Sequence, residues 1–388
     1  MYVLVSSPFH YKQFTKFTIF SVFAGFSFIQ NELTTYWFFI LLFRQEITLF
    51  GLGVIARPLV RVFVSYLMGY ISDKYDRAKL FYITRGISGI LLFPLTFAFI
   101  YHSIPLIFGI YYIRTIIVEL SNNVGYVAYY AVVPEQVRAK AIFYIRIISM
   151  ASRVASGAVW YLIYQLISAY DLFLAGILGL IGLALLKGFN IGGGSKRVKL
   201  STAIDFFRKD ERIRGIILLY SVTDGLTYSI NYLLPLLIIV YHGTEEIYSL
   251  SQTVLYGILV IASFVMTRIK DPIKIVSTYI LSGFLFYLVL LYPSPYVLLI
   301  SVLLYGFGSG IVENYVMATI KQSVGDEFLG SVLGLDVLVT SSVEIFLILL
   351  GQYLITINVV YYIIVGIVGM SLVLISWLLH PKLKDIKL

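Results

Sequence analysis

Long apolar runs alternate with short polar connections from one end of the chain to the other. Runs long enough to cross a bilayer, each needing roughly 20 residues, recur about twelve times. They fall at 15–42, 48–71, 80–100, 105–132, 139–165 and 171–187, and then at 214–240, 247–267, 273–292, 296–320, 328–355 and 358–379. Within each run the apolar residues are continuous instead of alternating, which predicts helices and argues against a barrel of short, two-faced strands. Hydrocarbon offers backbone groups no partners, so each run must close its own hydrogen bonds as a helix. Several runs exceed a straight crossing, which predicts tilt or extension into water. The expected fold is an all-α polytopic membrane protein with twelve transmembrane helices.

The polar connections carry charge in a consistent order. One set holds Lys12 and Lys16, then Lys74, Arg77 and Lys79, then Arg138 and Lys140. The segment 196–214 follows, then Arg268, Lys270 and Lys274, and finally Lys382, Lys384 and Lys387. The alternate set holds Arg44 beside Glu46, Asp171, Glu245 and Glu246. Short cytoplasmic loops carry the excess of Lys and Arg, so both termini are expected in the cytoplasm and the chain in the cytoplasmic membrane.

Composition agrees with this pattern. The 388 residues are 60% hydrophobic and 13% charged, with mean hydropathy +0.92; soluble domains average about 45–50% apolar and about 25% charged residues. The net charge of +9 is accounted for by loop topology, so no nucleic-acid partner is expected. There is no cysteine, which excludes disulfides, thiolate metal sites and cysteine nucleophiles. His10, His102, His242 and His380 fall at loops or termini. No catalytic constellation, metal site or cofactor is therefore expected, and the chain is read as a non-enzyme. The first apolar run follows basic residues without a small-residue cleavage site and is read as a retained helix.

The one substantial polar interior segment is 188–213. Gly192-Gly-Gly-Ser195 lacks the lysine–hydroxyl ending of a phosphate loop and reads as flexible linker. Ser201 to Arg212 mixes Ile204, Phe206 and Phe207 with charges, and Thr202 and Asp205 are placed as a capping box, so a short amphipathic surface helix is predicted. The linker divides the chain into halves 1–187 and 214–388, which read as copies. Ser21-Val22-x-x-Gly25-x-x-x-x-x-Asn31-x-Leu33 recurs 200 positions later as Ser221-Val222-x-x-Gly225-x-x-x-x-x-Asn231-x-Leu233, and Glu46-Ile47 recurs as Glu246-Ile247. Asn123 to Ala141, containing Pro134-Glu135-x-x-Arg138, parallels Asn314 to Val332, containing Gly325-Asp326-Glu327. Two six-span copies in parallel imply a substrate site between them near the bilayer midplane.

The connection Gly69-Tyr-Ile-Ser-Asp73-Lys74-Tyr-Asp76-Arg77-Ala-Lys79 is the most distinctive local sequence. With the repeat and the loops after spans four and ten, it resembles the major facilitator superfamily of transporters. There the loop between helices 2 and 3 reads Gly-x-x-x-Asp-[Arg/Lys]-x-Gly-[Arg/Lys]-[Arg/Lys], matched here by Gly69, Asp73, Lys74 and Arg77. Asp76 replaces the second glycine and is expected to pair with Arg77 or Lys79; Ala78 replaces the last basic residue. The resemblance covers the whole chain and implies two pseudo-symmetric six-helix bundles. It also implies that Gly69 packs helix 2 on helix 11, and that Asp73 and Arg77 latch the cytoplasmic side. In that family helices 1, 4, 7 and 10 line the cavity.

Ionisable residues at membrane depth are costly and are functional candidates. A carboxylate falls deep in each of those four spans: Glu32, Glu119, Asp224 and Glu313. Arg57, Arg61, Arg114, Arg146, Arg153, Asp336 and Glu344 also fall deep. Arg57, Arg61, Arg153, Asp336 and Glu344 are expected to pair largely among buried charges. Glu32 and Asp224, on the first helices of the two copies, are the leading candidates for proton coupling; permanent neutralisation of the arginines is the competing role for any single acid. Asn31 and Asn231, with Glu119, Glu313 and Arg114, complete the expected cavity. The expected function is secondary transport of a small solute by alternating access with protons as coupling ion, in a monomer embedded in lipid. A uniporter or a drug or metabolite exporter of the same fold remains open, as does a non-transporting membrane scaffold or sensor.

Overall fold

A computed structural model describes residues 7–43, 45–74, 76–131, 133–189, 211–266, 268–269, 271–323 and 326–379. After a single turn at Pro8–His10, the first half of the chain forms α1 (Lys12–Phe43), α2 (Ile47–Lys74), α3 (Arg77–Ile90), α4 (Leu92–Ile100), α5 (Ile104–Ala131), α6 (Glu135–Ile167) and α7 (Asp171–Leu185). The second half forms α8 (Glu211–Val240), α9 (Glu245–Met266), α10 (Pro272–Val289), α11 (Pro295–Ser323), α12 (Asp326–Ile357) and α13 (Val359–Leu379). No strand occurs among the described residues.

Every predicted span coincides with a helix, except that 80–100 is divided between α3 and α4 at Leu91. Pro94 explains the break: it has no N–H to give the Ile90 carbonyl, and its ring crowds that carbonyl. Leu91 instead donates back to Ile87 O at 2.9 Å. Among the described residues eight stretches are long and apolar enough to cross a membrane, and one of them, Phe143–Leu185, runs through both α6 and α7. Ser229–Val240 and Ile273–Val289 add shorter apolar helices. The chain is thus a multi-pass membrane protein.

Helix ends follow from local chemistry. Asp76 caps α3, its Oδ1 accepting the Lys79 backbone N–H at 2.8 Å. That contact gives a reason for an acid at this turn: it satisfies an otherwise orphaned donor. Asp271 does the same for α10, accepting from Ile273 N at 3.0 Å. α4 and α8 both end on a tyrosine followed by a left-handed histidine, His102 at φ 51° and His242 at φ 57°. Tyr241 then donates to the Leu290 carbonyl, and burial pushes its hydroxyl up to about 12.

The chain forms two compact units, one of residues 1–38 and 66–195 and one of 39–65 and 196–388. In the first unit α3 packs on α5 and α7, α4 on α5 and α7, and α6 on α5 and α7. Its core is aromatic at one end, where Phe14, Phe17, Phe20 and Phe81 bury together with Val137, Ile145 and Phe189. Phe17 stacks on Phe189 with centroids 5.3 Å apart, and Phe20 meets Phe81 edge-on at 5.5 Å. In the second unit α11 packs on both α9 and α10, while α8 packs on α12 and α13 also contacts α10 and α12.

The sequence repeat has a structural counterpart inside each unit. A Cβ on Gly25 of α1 would stand 2.0 Å from Ser152 Oγ on α6, and one on Gly225 of α8 would stand 2.8 Å from Val343 Cγ1 on α12. Each copy therefore uses its matching glycine to bring its first helix against its fifth, as small residues do where membrane helices approach closely. The paired serines repeat too: Ser21 bonds Phe17 O at 2.8 Å and Ser221 bonds Ile217 O at 2.7 Å.

Candidate functional site

In the first unit the polar run Gln30-Asn31-Glu32-Leu33-Thr34-Thr35 lies at the middle of α1 and is buried throughout. Apolar surroundings would penalise these groups unless each found a partner, and most do. Gln30 Nε2 donates to Ser156 Oγ at 2.9 Å on α6. Trp160 Nε1 donates to Thr34 Oγ1 at 2.8 Å, and Thr34 Oγ1 donates in turn to Asp171 Oδ2 at the start of α7. Ser27 Oγ adds a bond to Ala175 O at 2.7 Å. One face of α1 is thereby pinned to α6 and α7.

Glu32 is two residues from Thr34 and projects roughly 160° away from it around the helix. It is buried at 9% exposure. Phe28 precedes it by one turn on the same face, and the Arg153 guanidinium of α6 lies over the Phe28 ring at 4.6 Å. Such a cation–π contact stabilises an arginine in an apolar setting. Asn31 Oδ1 accepts from Thr35 Oγ1 at 3.5 Å.

Two further polar crossings join α3 to α5. Arg85 Nη2 donates to Asn122 Oδ1 at 2.8 Å, and Arg114 Nε donates to Ser88 O at 3.1 Å. Arg114 is thus engaged with α3. Glu119 is buried on α5, five residues further along.

In the second unit Asn231 of α8 accepts from Gln252 Nε2 of α9 at 2.8 Å. Arg61 Nη1 of α2 stands 3.7 Å from Glu344 Oε2 of α12, with side-chain exposures of 17% and 0%. Toward the N-terminal end of α2 the same helix pair meets again: Gln352 Nε2 donates to Ile47 O. A Cβ on Gly51 would stand 2.6 Å from Gln352 Oε1. Asp336 is buried on α12, its Oδ1 without a hydrogen-bond partner among the described residues. One turn later Thr340 Oγ1 donates to Ser221 Oγ of α8 at 3.2 Å. Arg57 and Glu313 are half-buried, on α2 and α11.

Asp224 lies in α8, Gly69, Asp73 and Lys74 in α2, and Arg77 in α3, but their side chains lie outside the described residues. The same is true of most of the segment 188–213, including the amphipathic helix expected there. Asp171, Thr34, Trp160, Gln252 and Gln352 were not singled out by the sequence reading. By sequence Asp171 counts as a loop charge, although it opens an otherwise apolar helix. The two glutamines were visible as lone amides inside apolar runs.

The arrangement offers buried carboxylates, amides and cations, which suits it to holding a polar solute or a proton. Among the described residues no cluster of three or more side chains is placed to hold a metal.

Residues 14–347 match the sequence model of the Major Facilitator Superfamily. No curated protein sequence matches the chain. Solved structures do. A mutant of the nucleoside transporter NupG aligns with TM-score 0.72 at 14% identity, covering 96% of this chain and 100% of that one. A D-xylose–proton symporter aligns with TM-score 0.71 at 16% identity, covering 97% and 100%. The human organic anion transporter MFSD10 (TETRAN) aligns with TM-score 0.69 at 11% identity, covering 94% and 98%. At such identities the likeness concerns the fold.

Proposed function

Since the chain belongs to the Major Facilitator Superfamily, we propose that it is a secondary transporter that moves a small polar solute by alternating access. The observation that carries the reading is the buried polar centre of α1, from Gln30 to Thr35. Polar and ionisable groups at membrane depth are costly and persist where a solute or ion must be held. Part of this run pins α1 to its neighbours, while Glu32 projects away from that contact. Asn231 of α8, the repeat counterpart of Asn31, joins Gln252 as a second candidate contact for solute.

Glu32 is the coupling carboxylate in this reading, with Asp224 its counterpart in the second copy. A desolvated carboxylate holds its proton more tightly, and hydration as a cavity opens releases it. The imposed potential adds about 2.3 kcal/mol per 100 mV for each charge moved. The two halves, 1–187 and 214–388, are the moving bodies, with 188–213 as their tether and both termini on the cytoplasmic face. Gly69, Asp73, Lys74 and Arg77 form a latch at the end of α2, and the Gln352–Ile47 and Arg61–Glu344 contacts a second one further toward its start.

The solute is taken to be a hydroxylated, hydrogen-bonding molecule. Structural neighbours described as a nucleoside transporter and a D-xylose–proton symporter support that class. The test is counterflow in proteoliposomes with radiolabelled uridine, D-xylose and a panel of organic acids, with and without an imposed pH gradient. Accumulation that rises with an inward proton gradient is expected. Counterflow indifferent to the gradient would replace coupling with uniport, and no counterflow across the panel would remove the solute assignment.

A further inference from the structure

In the first unit the turn that joins α6 to α7, Ser168–Tyr170, covers a carboxyl group with no charge to balance it. Asp171 opens α7 at 0% exposure, flanked by the buried Ala169 and Leu172. Its Oδ2 contacts Thr34 Oγ1 of α1, which also accepts from Trp160 Nε1 of α6 at 2.8 Å. The indole N–H bears on the carboxyl as well. Asp171 Oδ1 has no hydrogen-bond partner among the described residues, and among them no cation acts on the group.

The ionisable groups on the surrounding elements leave it unbalanced. On α1, Glu32 and Tyr36 each lie two residues from Thr34 and project to the opposite side of the helix. Arg44 follows Phe43, which is about 13 Å beyond Thr34 along the axis, and lies outside the described residues. On α6, Tyr164 is buried with its ring stacked on Trp160 at 4.9 Å. Arg153 lies two turns inward, about 10 Å from Trp160 along the axis, over the Phe28 ring. The turn and the end of α4 that packs on it add Tyr170, Tyr101 and His102, all exposed. The cover is thin and strained: Ser168 is exposed and takes φ 50° with ψ −125°. A serine holds such a conformation only where its surroundings impose it, and such residues gather at sites that switch.

We propose that Asp171 is a proton-binding site, separate from Glu32, whose bound proton clasps α1 to α6 and α7 and whose loss opens the turn at 168–170. Thr34 Oγ1 has one hydrogen to give and two lone pairs. It therefore serves both states, accepting from a protonated Oδ2 alongside Trp160, or donating to an ionised one. The neutral acid then leaves only a carbonyl oxygen idle, whereas the carboxylate would leave a charged oxygen among apolar neighbours. Ionisation is tolerated once water reaches Oδ1, and the strained turn is what must move to admit it. The proton passes from Oδ2 to the entering water on opening and returns on closing. The turn lies at the end of α6 opposite Arg138 and Lys140, so in the topology proposed above the site senses the outer pH. The inference does not rest on transport and is tested without a solute.

Infrared difference spectra of the full-length protein in lipid, recorded on stepping from neutral to alkaline pH, test the proton. They should show the loss of a protonated-carboxyl band that Asp171→Asn lacks. Over the same step, amide exchange across 168–174, corrected for its intrinsic pH dependence, tests the clasp. Exchange should rise in the native protein and stay unchanged in Asp171→Asn, whose amide mimics the neutral acid. Thr34→Val keeps the acid and removes its partner. It should retain the band at a shifted frequency, which assigns the band even if Asp171→Asn does not fold, and show raised exchange already at neutral pH. A native protein without the band, or a band unmoved by Thr34→Val, would overturn proton binding at Asp171. Native exchange that ignores the step, Asp171→Asn exchange that follows it, or a Thr34→Val variant as protected as the native protein would overturn the clasp.

Discussion

Removing Glu344 should destabilise the protein far more than removing the Arg61–Glu344 pair as a whole. The two groups are 3.7 Å apart and the carboxylate has no exposure. At an effective dielectric near 20, that separation corresponds to about 4.5 kcal/mol of attraction. Much of it offsets the desolvation of the two ions, so the pair adds little net stability over apolar residues of similar volume. A single substitution is different, because it takes the facing charge away from a buried group, at a cost of about 3–5 kcal/mol. Arg61 retains some solvent contact at 17% exposure, which places Glu344→Leu toward the lower end, about 3 kcal/mol. The double substitution Arg61→Met with Glu344→Leu should return to within ~1 kcal/mol of the native protein, an interaction of at least ~2 kcal/mol within the range of coupled neighbours. Unfolding from mild detergent by SDS titration, followed by tryptophan fluorescence, reads all four corners of the cycle. Single losses below ~0.5 kcal/mol, or losses that add to within ~0.5 kcal/mol, would refute the reasoning.

Glu32→Gln should retain solute counterflow while losing accumulation driven by a pH gradient, since it keeps the shape and removes the titrating proton; gradient-driven uptake in proteoliposomes checks this. Gly25→Val and Gly225→Val should each cost about 1–3 kcal/mol through overpacking, with similar losses in the two copies, read as lowered midpoints in the same SDS titration. Tyr241→Phe should cost roughly 1 kcal/mol by removing its bond to the Leu290 carbonyl, again read in that titration, with counterflow unchanged.

Much of the architecture was legible because membrane helices are written in continuous apolar runs. The gap between spans at 166–170 falls on the turn at Ser168–Tyr170, where Ser168 takes φ 50°. The break at Leu91 was equally present in the sequence as Pro94, but a run-length criterion passes over a proline that interrupts without adding polarity. The repeat was legible as letters, and Gly25 and Gly225 show its physical content: each position answers a close approach of the first helix to the fifth. Contacts between distant side chains were not legible. Nothing in the local sequence ties Asp171 to Thr34 and Trp160, or Gln352 to Ile47, because those pairings arise only when helices far apart in the chain pack. Asp76 lies between these cases. Its departure from the family glycine was evident, and its role as the cap of α3 required the backbone geometry around Lys79.

In the cycle we propose, α2 and α12 separate and close again each time a solute crosses. The chain has no cysteine, so a pair introduced as Gly51→Cys and Gln352→Cys, where a Cβ on Gly51 would stand 2.6 Å from the Gln352 Oε1, can be bridged without background by a short bis-methanethiosulfonate reagent. Counterflow of labelled uridine and D-xylose is then measured on the same proteoliposomes before bridging, after it, and after reduction. The account predicts that the linked protein stops transporting and that reduction restores the original rate. Full counterflow by the linked protein would contradict it.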